Sequence, residues 1–116
     1  SLKHLEYYIM KEYQGLYNTL LQLNELTKLK LINQRLANAE SKVVSELQKY
    51  IKSKPIEVLN KFIIQVDLKS EEELSELTQN LNSKGLKCIS KYTPHYYATD
   101  RDELDFPEKY EIIIQC

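Results

Sequence analysis

Apolar residues recur at steps of three and four along the first half of the chain: Leu2, Leu5, Ile9, Tyr13, Leu16, Leu20, Leu23, Leu26, Leu29, Ile32, Leu36, Ala39, Val43, Leu47 and Tyr50. That period is helical. Leu29, Ile32, Leu36, Ala39, Val43 and Tyr50 keep close to a seven-residue repeat, whereas Leu23, Leu26, Leu29 and Ile32 follow one another in threes and shift the seam. A single helix over this span is about 75 Å long at 1.5 Å per residue, too long to bury its stripe against a small head, so the pattern calls for a partner. A helical hairpin is the competing arrangement, broken at Gly15 or at Asn38 to Ser41. Gly15 costs a helix only about 1 kcal/mol relative to Ala, and the second site has neither Gly nor Pro, so one helix is expected.

Pro55 ends that helix, because proline disfavours helical geometry at Lys54 and supplies no N–H. Beyond it the period changes from helical to alternating. Phe62, Ile64, Val66 and Leu68 fall on one face of a first strand. Ser70-Glu71-Glu72-Glu73 reads as a capping box that opens a helix over 71–84, with Leu74, Leu77 and Leu81 as its stripe and Gly85 as its left-handed stop. Leu86 to Thr93 and Tyr110 to Gln115 complete the pattern as second and third strands. The chain is therefore expected to be α+β. Residues 1–54 form a coiled-coil-like helical dimerisation arm, and 55–116 a small β-α-β-β head, with the third strand antiparallel between or beside the other two. The head resembles half of a ferredoxin-like sheet, an architectural likeness that carries no function.

Alternation gives the sheet two unlike faces. Phe62, Ile64, Val66, Leu68, Leu86, Cys88, Tyr92, Tyr110, Ile112 and Ile114 form the apolar one, suited to receive the short helix. The other carries one isoleucine per strand, Ile63, Ile89 and Ile113, among polar and charged residues. A head of about sixty residues has a marginal core, so this band calls for cover, from the chain's own long helix or from a partner chain.

Composition narrows the classes. The chain has 116 residues, 42% hydrophobic and 28% charged, which fits one domain or an arm with a small head. The longest aliphatic run, Ile112 to Ile114, is far short of the roughly 18 residues of a membrane span. No leader-like stretch opens the chain, and Ser1 leaves room for a domain cut from a larger protein. Cys88 and Cys116 make no disulfide framework and no metal-ligand spacing, which points to a reducing compartment, with the cytoplasm as the expected location ahead of the nucleus. The net charge of −1 conceals a basic residues 1–54, balance +4, and an acidic remainder, balance −5. Spread over so many helical turns, the basic excess reads as a solvated face.

Candidate chemistry is sparse. The stretch around Tyr92, His95, Tyr96 and Tyr97 has the composition of a protein-contact loop, and the acidic residues Asp100, Asp102, Glu103, Asp105 and Glu108 that follow disfavour nucleic acid there. Those acids lack the glycine and terminal glutamate of an EF-hand loop. No Ser or Cys has the context of an activated nucleophile, Cys88 falls on the core face, and Gly15 and Gly85 stand alone without a phosphate-binding turn. No catalytic, cofactor or metal residues are assigned.

The reading that follows is a non-enzymatic protein–protein interaction module. It self-associates as a homodimer through Leu16, Leu20, Leu23, Leu29, Ile32, Leu36, Val43, Leu47 and Tyr50, and it presents to a partner the head residues Ile63, Ile89, Ile113, Tyr92, His95, Tyr96 and Tyr97. A second reading is the effector-sensing, regulatory fragment of a nucleic-acid-binding transcriptional regulator, with a pocket near Lys91, Tyr92, His95 and Tyr96. A third is a small inhibitor that uses the acidic loop.

Overall fold

The computed structural model describes residues 1–97 and 104–116. Its elements are α1 (Leu2–Lys52), β1 (Lys61–Val66), α2 (Glu71–Ser83), β2 (Cys88–Thr93) and β3 (Lys109–Gln115). The fold is α+β as the pattern implies, and α1 is one helix rather than a hairpin. Gly15 lies within it with open space around its Cα. The helix ends three residues before Pro55, and Lys54 takes the left-handed conformation with φ 49°.

The sheet order is β1-β3-β2, with β3 antiparallel to both neighbours. The last strand therefore lies between the first two, which run parallel to each other and are joined through α2. Helix α2 starts at an N-cap, where Ser70 Oγ accepts from the Glu73 backbone N–H at 3.1 Å. It stops at Gly85, φ 108°, where the Leu86 N–H bonds the Leu81 carbonyl and the Gly85 N–H bonds the Asn82 carbonyl, the paired closure of a Schellman motif. Asn82 then sets where β2 begins. Its side chain donates to the Cys88 carbonyl at 3.0 Å and accepts from the Cys88 N–H at 2.8 Å.

The chain forms two compact units, Ser1–Asn33 and Gln34–Cys116. The division falls inside α1, whereas the sequence suggests one near residue 54, and the core supplies the reason. Ala39 and Val43 are buried with Ile64, Val66, Leu68, Leu74, Leu77, Leu81, Cys88, Tyr110, Ile112 and Ile114, and Leu36, Leu47 and Phe62 pack against them. Residues 34–52 of α1 thus belong to the head and share its core with α2. The apolar face has the membership that alternation predicts, with Leu86 just before β2 rather than in it.

Candidate functional site

Exposed apolar side chains occur in both units, and in each a set of them shares one face. In Ser1–Asn33, Leu2, Leu5, Ile9, Leu16, Leu20, Leu23, Leu26 and Leu29 are all exposed, as are Tyr13 and Tyr17. Ile9, Tyr13, Leu16, Leu20 and Leu23 follow at steps of four, three, four and three, which is a seven-residue repeat over fourteen residues.

The residues expected to form one seam thus have different roles. Leu16, Leu20, Leu23 and Leu29 are exposed, but Val43 has no exposed surface, and Leu36 and Leu47 pack on the core of their own chain. Tyr50 packs on Phe62, ring centroids 5.2 Å apart. The later part of the heptad stretch, from Leu36 on, therefore packs into the head. A seven-residue repeat reports an apolar stripe and not what covers it.

In Gln34–Cys116 the exposed apolar residues include Ile51, Ile56, Val58 and Leu104, and on the sheet itself the isoleucine band. Register places Ile63 opposite Ile113 and Ile113 opposite Ile89, so the three form a row across the sheet. Ile63 and Ile89 are each 48% exposed and Ile113 is half-buried. Residues 34–52 of α1 do not cover this row, because Ala39 and Val43 join the core on the opposite face. Two residues toward the start of β1, the next row on this face is Lys61, Gln115 and Lys87; two residues the other way it is Gln65, Glu111 and Lys91. A shallow hollow of about 580 Å³ lies against it, lined by Asn60, Lys61, Ile89, Ile113, Gln115 and Cys116.

The tyrosine candidates do not extend this surface. Tyr92 is on the core face, its ring 5.1 Å from that of Tyr110, and its hydroxyl donates to Glu108 Oε2 at 2.8 Å. That bond, with burial second, raises the Tyr92 phenol above its ordinary value. Burial first and Glu108 second push Tyr110 up to about 12. His95 stacks on Tyr97 at 4.1 Å, and Tyr96 pairs with Phe106 through two backbone hydrogen bonds of 2.8 and 3.0 Å. Of the acidic candidates, Asp100, Asp102 and Glu103 lie outside the described residues.

Sequence reasoning missed the ion pairs that tie α1 to α2. Arg35 Nε and Nη2 donate to Glu73 Oε1 and Oε2 at 2.8 and 3.1 Å, so the carboxylate read as half of a capping box is held by a guanidinium from α1. Arg35 holds the buried Glu73 carboxyl below its ordinary range, against the opposing effect of burial. Glu40 takes Lys84 and Asn80 as partners, and Lys84 lowers its carboxyl as well. Neither pairing has a local sequence signal, since each spans about forty residues.

Beside the first pair is a polar cleft of about 490 Å³, lined by Arg35, Asn38, Asp67, Lys69, Glu108 and Tyr110 among others. Burial raises the Cys88 thiol, which favours its protonated form. Among the described residues no three His, Cys, Asp or Glu side chains gather as a metal site. No helix among them is long and apolar enough to cross a membrane. Compared with family models, curated proteins and solved structures, the chain matches none.

Proposed function

We propose that this chain is a non-enzymatic protein–protein interaction module of the cell interior, which self-associates through the N-terminal part of α1 and presents its α+β head to a partner. The observation that carries this reading is the unbroken exposure of Leu2, Leu5, Ile9, Leu16, Leu20 and Leu23 along one unit. A helix in water without tertiary packing is marginal, and its stability comes from burying such a stripe. Full burial is worth about 1.5–3 kcal/mol for each leucine or isoleucine, so two copies joined along two heptads gain what neither has alone. The seam of this homodimer runs over Ile9 to Leu29, while Leu36, Val43, Leu47 and Tyr50 hold the head together.

Absolute mass in solution tests it, measured by light scattering after size exclusion across about a hundredfold range of loading. The whole chain is expected to run as a dimer, and Leu16→Asp with Leu20→Asp as a monomer whose head stays folded. A wild-type chain that is monomeric throughout, or a double variant that remains associated, refutes the seam.

A further inference from the structure

We propose that the bare face of the sheet, centred on Ile63, Ile113 and Ile89, is the docking site for an acidic amphipathic helix of another protein. This deepens the presenting role given to the head and does not depend on self-association.

The argument starts from the frame of the row. Ile113 is at the middle of the sheet, and the four corners around it are Lys61, Lys87, Lys91 and Gln65. Three of the four are lysines, and the one carboxylate inside the frame is Glu111. An occupant must therefore bring apolar side chains to the centre and carboxylates to the flanks.

A second copy of this face does not meet that need. In a two-fold, face-to-face packing each corner meets a corner of the other copy. With three lysines at four corners, every such arrangement sets at least one lysine against a lysine. The axis along the isoleucine row opposes Lys87 to Lys91, and the axis along the strands opposes Lys61 to Lys87; one diagonal axis opposes Lys61 and Lys91 each to its own copy, and the other opposes Lys87 to its own copy and Lys61 to Lys91. Like charges placed against each other in a desolvated contact disfavour the pairing.

Nucleic acid fits poorly as well. Lysines suit phosphate, but no described residue of this face is aromatic, so there is no platform on which a base can stack. A helix fits by shape. Three strands about 4.8 Å apart make a strip about 10 Å wide between the outer two, close to the 10–12 Å diameter of one α-helix. Residues spaced i, i+3, i+4 and i+7 present one apolar stripe to the isoleucines, and acidic residues on either side reach the lysines. The opposite face already carries α2 and part of α1, so the bound helix completes a three-layer α-β-α arrangement.

The test uses the full chain against a displayed library of helical peptides, with apolar residues fixed at i, i+3, i+4 and i+7 and the flanking positions randomised. Retained peptides are expected to be enriched about tenfold in Asp and Glu at the flanks. Lys61→Glu with Lys87→Glu and Lys91→Glu should turn that preference toward Lys and Arg, and Ile63→Lys with Ile89→Lys should abolish retention while the far-ultraviolet dichroism is unchanged. Flanks that stay random, a preference that survives the charge reversal, or retention by the isoleucine double variant each overturn the proposal. So does tighter binding of single-stranded polyuridine lost in the same lysine variants. A fall in solution mass caused by Ile63→Lys with Ile89→Lys would assign the face to a second copy and overturn it too. A fall caused by Leu16→Asp with Leu20→Asp bears only on the N-terminal helix.

Discussion

Arg35 on the long helix grips Glu73 in the first turn of α2 through two hydrogen bonds, of 2.8 and 3.1 Å, and the carboxylate is almost fully buried. A carboxyl held below its ordinary value stabilises the fold above its unfolded pKa, about 4.3, and that contribution is lost as pH falls through the folded value. Chemical-denaturation midpoints should therefore decline below about pH 4.5. In Glu73→Gln the decline should be shallower, and shallower still when Glu40→Gln is added, because Glu40 is depressed in the same sense by Lys84. At neutral pH Glu73→Gln should lose about 1–2 kcal/mol of stability. An acid limb of the same slope in wild type and double variant would show that these pairs do not hold α1 to α2.

Residues 34–52 supply Leu36, Ala39, Val43 and Leu47 to the core, so the head cannot be cut at residue 54 without opening it. A fragment of residues 34–116 should unfold cooperatively, while 55–116 should show no cooperative transition and should bind a hydrophobic dye. Val43, fully buried, gives a graded version: Val43→Ala should cost about 2 kcal/mol. A stable, cooperative 55–116 would contradict this.

The two glycines should respond to alanine with opposite sign. Gly15 is helical with open space where a Cβ would stand, so Gly15→Ala should stabilise α1 by about 0.5–1 kcal/mol. Gly85 at φ 108° closes α2, and Gly85→Ala should destabilise the head by about 1–2 kcal/mol. Thermal unfolding of both variants measures the pair; equal shifts would mean that backbone conformation does not decide either.

Tyr110 should ionise late. With its phenol at about 12, the neutral form is favoured in the folded chain, so its contribution is complete below the unfolded value near 10 and lost as pH rises through 12. A tyrosinate absorbance titration of the nine tyrosines should show a delayed fraction, with Tyr92 raised in the same direction. Tyr110→Phe should shrink that fraction, and Glu108→Gln should bring it to lower pH. A single titration step in the wild type would refute the assignment.

What the sequence makes legible is what local chemistry dictates. Ser70 and Glu73 mark the start of α2 because a cap is a contact between neighbours, and Gly85 marks its end because only glycine takes φ 108° freely. Strict alternation sorts Ile63 from Ile64 and so defines the isoleucine row before any pairing is known. Tertiary choices are not written locally. The heptad from Leu29 to Tyr50 is equally compatible with another chain or with the chain's own sheet. The structure selects the sheet for Leu36, Val43 and Leu47, because α2 packs chiefly on β2 and β3 and leaves Ile64 and Val66 of β1 in need of a further cover. Arg35 carries no sign of its partner, since Glu73 lies 38 residues away.

The place of β3 in the sheet sets the order in which the chain can fold during synthesis. Among the described residues both edge strands pair only with β3, so this three-stranded ladder cannot form until the ribosome has released Lys109–Gln115. Until then the nascent chain exposes Ile64, Val66 and Cys88 with nothing to cover them on the strand side, while α1, whose hydrogen bonds are local, is free to wind first. A helix that is ready before its own sheet exists can meet the same helix on a neighbouring nascent chain. If the proposed pairing of two copies holds, it can then begin on the polysome, ahead of the fold that each of them will carry.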